Sequence, residues 1–308
     1  MIHKTPLVSI SVVTYNHHGF IKQCLDGILI QQTNFPFEII LGEDESTDGT
    51  REICIEYANK YPDKINLFLR SRKDVIYING NPTGRFNFIE NLKASKGKYI
   101  ALCEGDDYWT DPLKLQKQVD FLEANNEFVI CCHNSNIINS DANFNRIFNE
   151  NDIPEITDVN YILRNSWYIP TASIVFRNSN LILSKWFYKY LNGDYMLQLI
   201  LTANGGLVYY ENEIRSSYRL HNGGVSNIFL KKNVFDYSML DINKKFNKIS
   251  KYKYYSSIRE NIVKYSFNIL NNTPVRSKEF WEILKNLIWF NRGLNKGQFK
   301  TILKRIIS

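Results

Sequence analysis

The sequence predicts an α/β protein with a mostly parallel, Rossmann-like sheet flanked by helices and a helical extension at the C-terminus. Two observations support this prediction. Short apolar runs rich in β-branched residues alternate with amphipathic helix patterns through the first half of the chain, as in βαβ units. A content of 44% hydrophobic residues over 308 positions supplies a substantial core and excludes a mainly disordered chain.

The elements of the first half follow from these local patterns. Four strands are predicted at residues 7–14, 37–41, 65–69 and 98–103, of which the first and the last are expected to be buried. Three helices are predicted from the spacing of their apolar positions, at residues 21–28, 50–57 and 111–122. Thr50 is a suitable N-cap for the second helix, and Asp111-Pro112 predicts the start of the third.

The second half is less regular and becomes helical and basic after residue 230. Strands are predicted at 128–133, 172–176 and 208–210, and helices at 194–203 and from Thr273-Pro274 onward. The predicted organisation is a domain at residues 1–230 and a basic helical extension at residues 231–308.

Charge is distributed unevenly between these two parts. From residue 231 onward, 17 lysines and arginines face 5 aspartates and glutamates, a net charge of +12. The other 21 basic and 26 acidic residues give the first 230 positions a net charge of −5. A basic segment of this kind can bind an anionic membrane surface. Alternatively, its charged side chains form the solvated face of packed helices. No recognised nucleic-acid module accompanies the charge, so we expect no nucleic-acid partner.

Cysteine usage and hydropathy bear on the cellular location. The five cysteines form no CxxC pair and no metal-ligand spacing, so buried reduced thiols are expected. No run of about 18 apolar residues predicts a membrane span, and the first residues do not resemble a signal peptide. The prediction is a cytoplasmic protein, with peripheral attachment to the inner face of the cell membrane as the second interpretation.

Three polar clusters follow predicted strands at their carboxyl ends. They are Thr14-Tyr15-Asn16, the acidic run at 43–48, and Glu104-Gly105-Asp106-Asp107. Ligands of open α/β sheets bind beyond these strand ends, so we expect the clusters to converge on one crevice.

The two acidic clusters point to different chemistry. The carboxylates at 104–107 repel one another unless a cation offsets them, and Mg²⁺ and Mn²⁺ take oxygen ligands. An acid in the 43–48 run can accept a hydrogen bond from a ribose hydroxyl or a base N–H. The alternatives are a solvated loop for the first cluster and an acidic turn, with Asp48 as a helix cap, for the second. Neither a GxxxxGK[ST] nor a GxGxxG motif is present.

The ordered set of motifs resembles family-2 glycosyltransferases, which are inverting, nucleotide-sugar-dependent enzymes of GT-A fold. The resemblance covers about residues 6–228. It is carried by VSISVVTYN at 8–16, EDESTDGT at 43–50, KGKYI at 96–100, EGDDYW at 104–109, GD at 193–194 and YRLH at 218–221.

The resemblance implies roles for individual residues. It assigns donor binding to Thr14, Tyr15, Asn16, Asp44, Arg85 and Asp107, with Asn87 as a further candidate. It assigns metal binding to Glu104, Asp106 and His221, and it assigns the role of catalytic base to Asp194. Without the resemblance, Asp194 would be interpreted as a helix N-cap and His221 as a structural histidine. Glu104 replaces the usual first aspartate of the DxD motif, and Glu43 and Glu45 stand where aspartate and glycine are commoner.

The predicted function is that of a metal-dependent inverting glycosyltransferase that uses Mn²⁺ or Mg²⁺. It would move a sugar from a nucleotide sugar, UDP-linked by preference, to a saccharide or lipid-linked saccharide in bacterial surface polysaccharide synthesis. The metal would offset charge on the leaving diphosphate, and a separate carboxylate would activate the acceptor hydroxyl.

Two other functions compete with this prediction. A sugar-phosphate nucleotidyltransferase has a similar fold but needs a Gly-rich, Arg-containing loop after the first strand, where this chain has YNHHG at 15–19. A non-catalytic nucleotide-sugar-binding or membrane-surface recruitment module would bind its ligands without turnover.

Overall fold

The computed structural model describes residues 5–139, 144–183, 185–190, 192–221, 223–224 and 234–289, together with 297, 300–302 and 304. They fall into two compact units. The first contains the described residues of 1–159 and 167–221, and the second those of 160–166 and 222–308. The boundary predicted between residues 230 and 231 lies within 225–233, outside the described residues, so the domain division stays a prediction.

The strands found among the described residues all belong to the first unit. In chain order they are β1 (Val8–Thr14), β2 (Phe37–Glu43), β3 (Ile65–Leu69), β4 (Ile76–Ile78), β5 (Asn81–Thr83), β6 (Tyr99–Glu104), β7 (Tyr108–Trp109), β8 (Phe128–Asn139), β9 (Phe144–Ile147), β10 (Ile156–Thr157), β11 (Val175–Arg177) and β12 (Leu207–Arg219).

The α-helices of both units are numbered in the same way. They are α1 (Ile21–Leu29), α2 (Thr50–Lys60), α3 (Arg85–Ala94), α4 (Lys114–Ala124), α5 (Val159–Arg164), α6 (Gly193–Thr202), α7 (Val234–Ile249), α8 (Tyr255–Asn272) and α9 (Lys278–Trp289).

Ten of the described strands form one mixed sheet with parallel strands at its centre. The order is β10-β12-β8-β11-β6-β1-β2-β3, with β7 beside β12 and β9 beside β8. Strand β1 pairs in parallel with both β2 and β6, and β2 pairs in parallel with β3. The predicted α/β class with a GT-A-like sheet is therefore confirmed.

The sequence did not predict the antiparallel part of the sheet. Strand β11 lies between β6 and β8 and is antiparallel to both. It has only three residues, too few for a clear alternation pattern. Strand β12 is much longer than the predicted 208–210, because its register shifts against β8 let the polar residues 211–213 continue the strand.

Two helices begin later than predicted or with a different cap. The N-cap of α2 is Gly49, whose φ of 95° suits glycine, and Thr50 is the first helical residue. Asp48 lies one residue before this cap and is therefore not the N-cap that was expected, but its carboxylate accepts from the Thr50 backbone N–H at 3.1 Å. Asp111 accepts from the Leu113 N–H at 2.9 Å, but α4 begins only at Lys114.

The core of the first unit lies on both faces of the parallel strands. Every residue of β1 except Val13 is buried, which explains why this strand reads as a continuous apolar and small-residue run rather than an alternating one. Helices α1 and α4 cover it with fully buried side chains such as Ile21, Leu25, Leu115 and Leu122.

Gly97 precedes β6 at a point where the backbone of β1 leaves no room for a side chain. A Cβ atom there would lie 2.5 Å from the Ser9 nitrogen and 2.8 Å from the Val8 carbonyl carbon. Because backbone cannot move aside like a flexible side chain, we expect Gly97→Ala to destabilise the protein by about 2–3 kcal/mol, measured by urea unfolding.

Gly19→Ala is the matched control for this substitution. Nothing lies within 4 Å of a Cβ atom at Gly19, which is exposed. The control should therefore stay within about 1 kcal/mol of wild type. Equal stability of the two variants would contradict the close packing of Gly97 on β1.

The second unit consists of helices that bury an apolar core of their own. Fully buried members include Met239, Ile242, Phe246, Ile258 and Ile262. Among them, the Asn261 side-chain amide donates to the Asn243 side chain at 3.1 Å, which satisfies two polar groups inside this core. Across the described part of the chain, none of the helices has the length and apolar character needed to cross a membrane.

Candidate functional site

The three predicted polar clusters meet at the carboxyl edge of the parallel strands. In the sheet register, Thr14 of β1 lies opposite Glu43 of β2, and Val13 lies opposite Glu104 of β6. The loops that follow these strands therefore start side by side. The predicted convergence of the three clusters at one edge of the sheet is confirmed.

Tyr15, Asp44 and Arg72 form one wall of this crevice. The Arg72 guanidinium lies 4.1 Å from the centre of the Tyr15 ring and donates to Asp44 Oδ2 at 2.8 Å. Asp44 is buried, and its Oδ1 atom has no hydrogen-bond partner among the described residues. Burial raises the pKa of Asp44 above its usual value, against the opposing pull of Arg72. The wall offers a half-exposed aromatic face beside a carboxylate oxygen that can accept a hydrogen bond.

The unusual acids Glu43 and Glu45 maintain the shape of this wall. Glu43 is fully buried and binds the Arg51 guanidinium and the Ser46 backbone N–H. Glu45 adopts a positive φ of 59° and accepts from the Arg72 backbone N–H at 2.5 Å. The two departures from the family pattern thus fix the turn and position Arg72.

Asn16 connects the loop after β1 to the acidic turn. It has a φ of 53°, a region that asparagine tolerates. Its backbone N–H donates to Ser46 Oγ at 2.9 Å, and its side-chain oxygen accepts from the Thr47 N–H at 3.0 Å. These bonds hold Tyr15 next to Asp44.

The turn after β6 gathers carboxylates and two histidines. Ligand-capable atoms of Glu104, Asp106 and Asp107 all lie within 4.8 Å of one another, and the same holds for His17, Asp106 and His221. Nε2 of His221 lies 2.9 Å from Asp106 Oδ2, and Nε2 of His17 lies 3.7 Å from it. The buried Asp107 Oδ2 has no hydrogen-bond partner among the described residues. This donor set fits a divalent cation.

Electrostatics within this turn also favour a cation. Burial and then the charges of Asp106 and Asp194 raise the pKa of Glu104 to about 8. Burial raises the pKa of Asp107 well above its usual value, and burial lowers the pKa of His17 despite the nearby Asp106. Burial by itself would raise the pKa of Asp106. The hydrogen bond with His221 and the nearby His17 outweigh burial and bring this pKa below its usual value.

Arg219, the last residue of β12, binds the acidic turn through both its backbone and its side chain. Its backbone N–H donates to Asp107 Oδ1 at 2.9 Å, and its guanidinium donates to the Asp106 carbonyl at 2.8 Å. The other guanidinium nitrogen donates to Gln23 of α1 at 2.7 Å. One arginine therefore joins β12, the turn and α1.

Arg85 and Asp194 interact electrostatically with Glu104. Arg85 is buried, donates to the Tyr190 carbonyl at 2.9 Å, and is attracted by both Asp194 and Glu104. Burial lowers the pKa of Arg85 to about 10 and raises that of Asp194 above its usual value. A Cβ atom at Gly193 would lie 1.6 Å from a nitrogen of Arg85, so only glycine allows this approach.

The structure thus brings every residue assigned to the site to one edge of the sheet, while the roles themselves stay predictions. Asn87, the further candidate, is buried and donates to the Gly42 carbonyl at 2.8 Å, which ties α3 to β2. Three residues at the site were missed: His17, Arg72 and Arg219. The rule that polar residues after parallel strands line the crevice could have found Arg72, and the YRLH motif contained Arg219.

The fold and this edge of the sheet define a protein of the GT-A-like class. The TarS protein of S. aureus in complex with UDP-GlcNAc has this fold, with a TM-score of 0.60 and 15% identity over 92% of this chain and 81% of TarS. A mannosyltransferase of Pyrobaculum calidifontis in complex with GDP-Man and Mn²⁺ has a TM-score of 0.54 and 14% identity over 99% of this chain and 86% of that one.

Sequence comparison names the family. The model of glycosyl transferase family 2 matches residues 9–190. The chain belongs to this family, as its motifs predicted. The Escherichia coli protein named UDP-Glc:alpha-D-GlcNAc-diphosphoundecaprenol beta-1,3-glucosyltransferase WfaP is 30% identical over 220 residues, which are 71% of this chain and 80% of WfaP.

A further relative is longer than this chain. It is an uncharacterised protein of Mycobacterium tuberculosis, 34% identical over 226 residues, or 71% of this chain. The match spans 60% of that relative's length.

Proposed function

We propose that this protein is a metal-dependent inverting glycosyltransferase that uses a nucleotide sugar as donor. The observation that carries the proposal is the grouping of Asp194 with the acidic turn. Ligand-capable atoms of Glu104, Asp106 and Asp107 lie within 4.8 Å of one another, and the residue before Asp194 packs against the Arg85 guanidinium, whose charge attracts both Asp194 and Glu104. A cation-binding turn and a separate base in one crevice are the minimal requirements for this reaction.

The base and ribose of the donor would bind at the wall formed by Tyr15, Asp44 and Arg72. A planar base can stack on the Tyr15 ring, and Asp44 Oδ1 can accept from a base N–H or a ribose hydroxyl. Arg72 fixes both side chains in place.

The remaining residues would carry the transfer itself. Asp106, Glu104 and His221 would hold Mn²⁺ or Mg²⁺, which supplies Lewis-acid stabilisation of the leaving diphosphate. Asp194 would take the proton from the acceptor hydroxyl as its oxygen attacks the anomeric carbon, which inverts the configuration there. The positive charge of Arg85 attracts both Asp194 and Glu104 and would help to orient the base.

We propose a UDP-sugar as donor and a saccharide or lipid-linked saccharide as acceptor, in the synthesis of bacterial surface polysaccharide. Support comes from relatives. TarS binds UDP-GlcNAc, and the name of WfaP specifies a UDP-Glc donor and a diphosphoundecaprenol-linked acceptor. A Bacillus subtilis relative, 32% identical over 122 residues, is named a putative teichuronic acid biosynthesis glycosyltransferase.

A lipid-linked acceptor would require access to a membrane, and we propose that the basic helices of the second unit provide it. Lys245, Lys248, Lys251 and Lys253 are exposed around the end of α7, and Trp281 of α9 is 44% exposed. Co-sedimentation with phosphatidylglycerol vesicles, but not with phosphatidylcholine vesicles, is the expected result. Equal binding to both vesicles, or to neither, would contradict this part of the proposal.

The donor class is tested by thermal stabilisation with UDP, GDP, CDP and their sugars, each with and without Mn²⁺. A ligand at about 100 times its Kd adds about 2.7 kcal/mol to the stability of the folded state. We expect a Mn²⁺-dependent shift for uridine nucleotides. A folded protein that responds to none of the nucleotides would contradict the proposed function.

Arg72→Ala should weaken nucleotide binding by about tenfold, because Tyr15 and Asp44 both lose the group that orients them. Isothermal titration of UDP in the presence of Mn²⁺ measures the change. The control is Lys73→Ala, since Lys73 is the neighbouring cation and its exposed side chain lies outside the wall. Equal Kd values for Arg72→Ala and wild type would show that the base binds elsewhere.

A further inference from the structure

His17 lies against the acidic turn although it belongs to the loop after β1. Its Nε2 atom lies 3.7 Å from Asp106 Oδ2, and Nε2 of His221 lies 2.9 Å from the same oxygen. The two imidazole rings meet edge to face with their centroids 5.8 Å apart. One carboxylate oxygen is therefore approached by nitrogens from two histidines.

The position of His17 is fixed by its neighbours. Its Nδ1 atom lies 3.3 Å from Thr14 Oγ1, which leaves Nε2 facing the carboxylate. Gly105 permits this approach, because a Cβ atom there would lie 2.7 Å from Thr14 Oγ1 and 3.0 Å from His17 Nδ1. Histidine ligands of metals commonly have their second nitrogen engaged in this way.

The distances from Asp106 Oδ2 to the two histidine nitrogens, 2.9 Å and 3.7 Å, fall in the range found between ligands of one ion. Adjacent ligands of an octahedral ion with bonds of about 2.1 Å lie about 3 Å apart, and opposite ligands about 4.2 Å apart. The ligand-capable atoms of His17, Asp106 and His221 all lie within 4.8 Å of one another. The unpartnered, buried Asp107 Oδ2 next to them is a second sign that this turn accommodates a cation.

We propose that His17 is a ligand of the cation held by Asp106 and His221, and that the two imidazoles make this site select Mn²⁺ over Mg²⁺. Imidazole suits transition metals, whereas Mg²⁺ prefers an all-oxygen sphere. This inference rests on the cation of the proposed function and adds its third side-chain ligand and its selectivity.

The test compares wild type with His17→Gln and with the matched control His18→Gln. His18 is the next residue, is exposed and lies outside the cluster. Mn²⁺ binding is followed by the loss of the electron paramagnetic resonance signal of free Mn²⁺, and Mg²⁺ binding by competition. We expect His17→Gln to lose at least about tenfold in Mn²⁺ affinity, with Mg²⁺ affinity within twofold of wild type. His18→Gln should match wild type for both ions.

A second measurement does not depend on a variant. Pulsed paramagnetic resonance of Mn²⁺ bound to wild type containing ¹⁵N-histidine should detect two coordinated imidazole nitrogens, and His17→Gln should retain one. A single nitrogen in wild type, an unchanged Mn²⁺ affinity in His17→Gln, or an equal loss for both ions would overturn the inference. None of these measurements needs turnover, so failure of the proposed function would appear separately, as a lack of sugar transfer by wild type.

Discussion

Asp194→Asn is expected to lower kcat for sugar transfer by about a thousandfold and to leave the Kd of the donor nucleotide within twofold of wild type. A positioned general base contributes about 10²–10⁴-fold to a reaction, and asparagine has the same shape without basicity. Asp194 lies in the first turn of α6, which begins at Gly193, and there the N–H of Tyr195 and the charge of Arg85 partly oppose the burial that raises its pKa. The raised pKa brings the carboxylate closer to the basicity that proton transfer requires.

The same base should shape the pH profile of the reaction. Transfer requires a deprotonated Asp194, so kcat falls as the pH drops through the folded-state pKa, which lies above the usual 3.8. This acid limb should therefore appear at a higher pH than that of an ordinary aspartate, and it should be absent from the residual activity of Asp194→Asn.

The control for Asp194→Asn is Asp63→Asn, which makes the same chemical change at an exposed loop position. It should retain wild-type kcat and donor affinity. Wild-type turnover by Asp194→Asn would remove Asp194 from the role of base. If wild type itself binds nucleotide sugars but transfers nothing, the non-catalytic binding module becomes the better explanation.

Asp106→Ala is expected to lower kcat/KM by about a thousandfold, equivalent to about 4 kcal/mol at the transition state. Asp106 is the one residue shared by both groups of ligand-capable side chains, so its loss disrupts each of them. Unlike Asp194→Asn, this change should also weaken donor binding, because the diphosphate loses its cation. UDP should then stabilise the variant equally with and without Mn²⁺.

Asp120→Ala serves as the control for Asp106→Ala, since Asp120 is exposed on α4 and its carboxylate accepts a hydrogen bond from the Gln116 side chain at 2.7 Å. It should leave both kcat/KM and the Mn²⁺-dependent response to UDP unchanged. A Mn²⁺-dependent response that survives in Asp106→Ala would place the cation at other residues.

The predictable part of the molecule was the parallel centre of the sheet. Strands such as β1 are buried on both faces, so their apolar character is continuous and their ends are marked by polar clusters. Because the carboxyl ends of neighbouring parallel strands must coincide, the convergence of Tyr15, Asp44 and Asp106 followed from topology alone.

The remaining parts depend on contacts that local patterns do not encode. Strand β11 is too short to show a period, and the extension of β12 depends on irregular pairing with β8. The sequence around His17 does not indicate its role. Its contact with Asp106 forms only in the folded protein, where Gly105 allows the two loops to approach each other. The roles of Glu43 and Glu45 likewise became clear only from the arginines that they bind.

The late position of β12 has a consequence for biosynthesis. Ribosomes deliver the chain from its N-terminus, so the strands that precede Asp44 and Asp106 emerge well before β12. The Arg219 N–H and the His221 ring reach Asp107 and Asp106 across 112 and 115 sequence positions. A nascent chain that stops short of residue 219 contains β1, β2, β3 and β6 but lacks the end of β12, the strand that pairs with β8, β7 and β10. It also lacks the Arg219 N–H and the His221 ring, so the acidic turn gains these two partners only after the end of β12 has been synthesised.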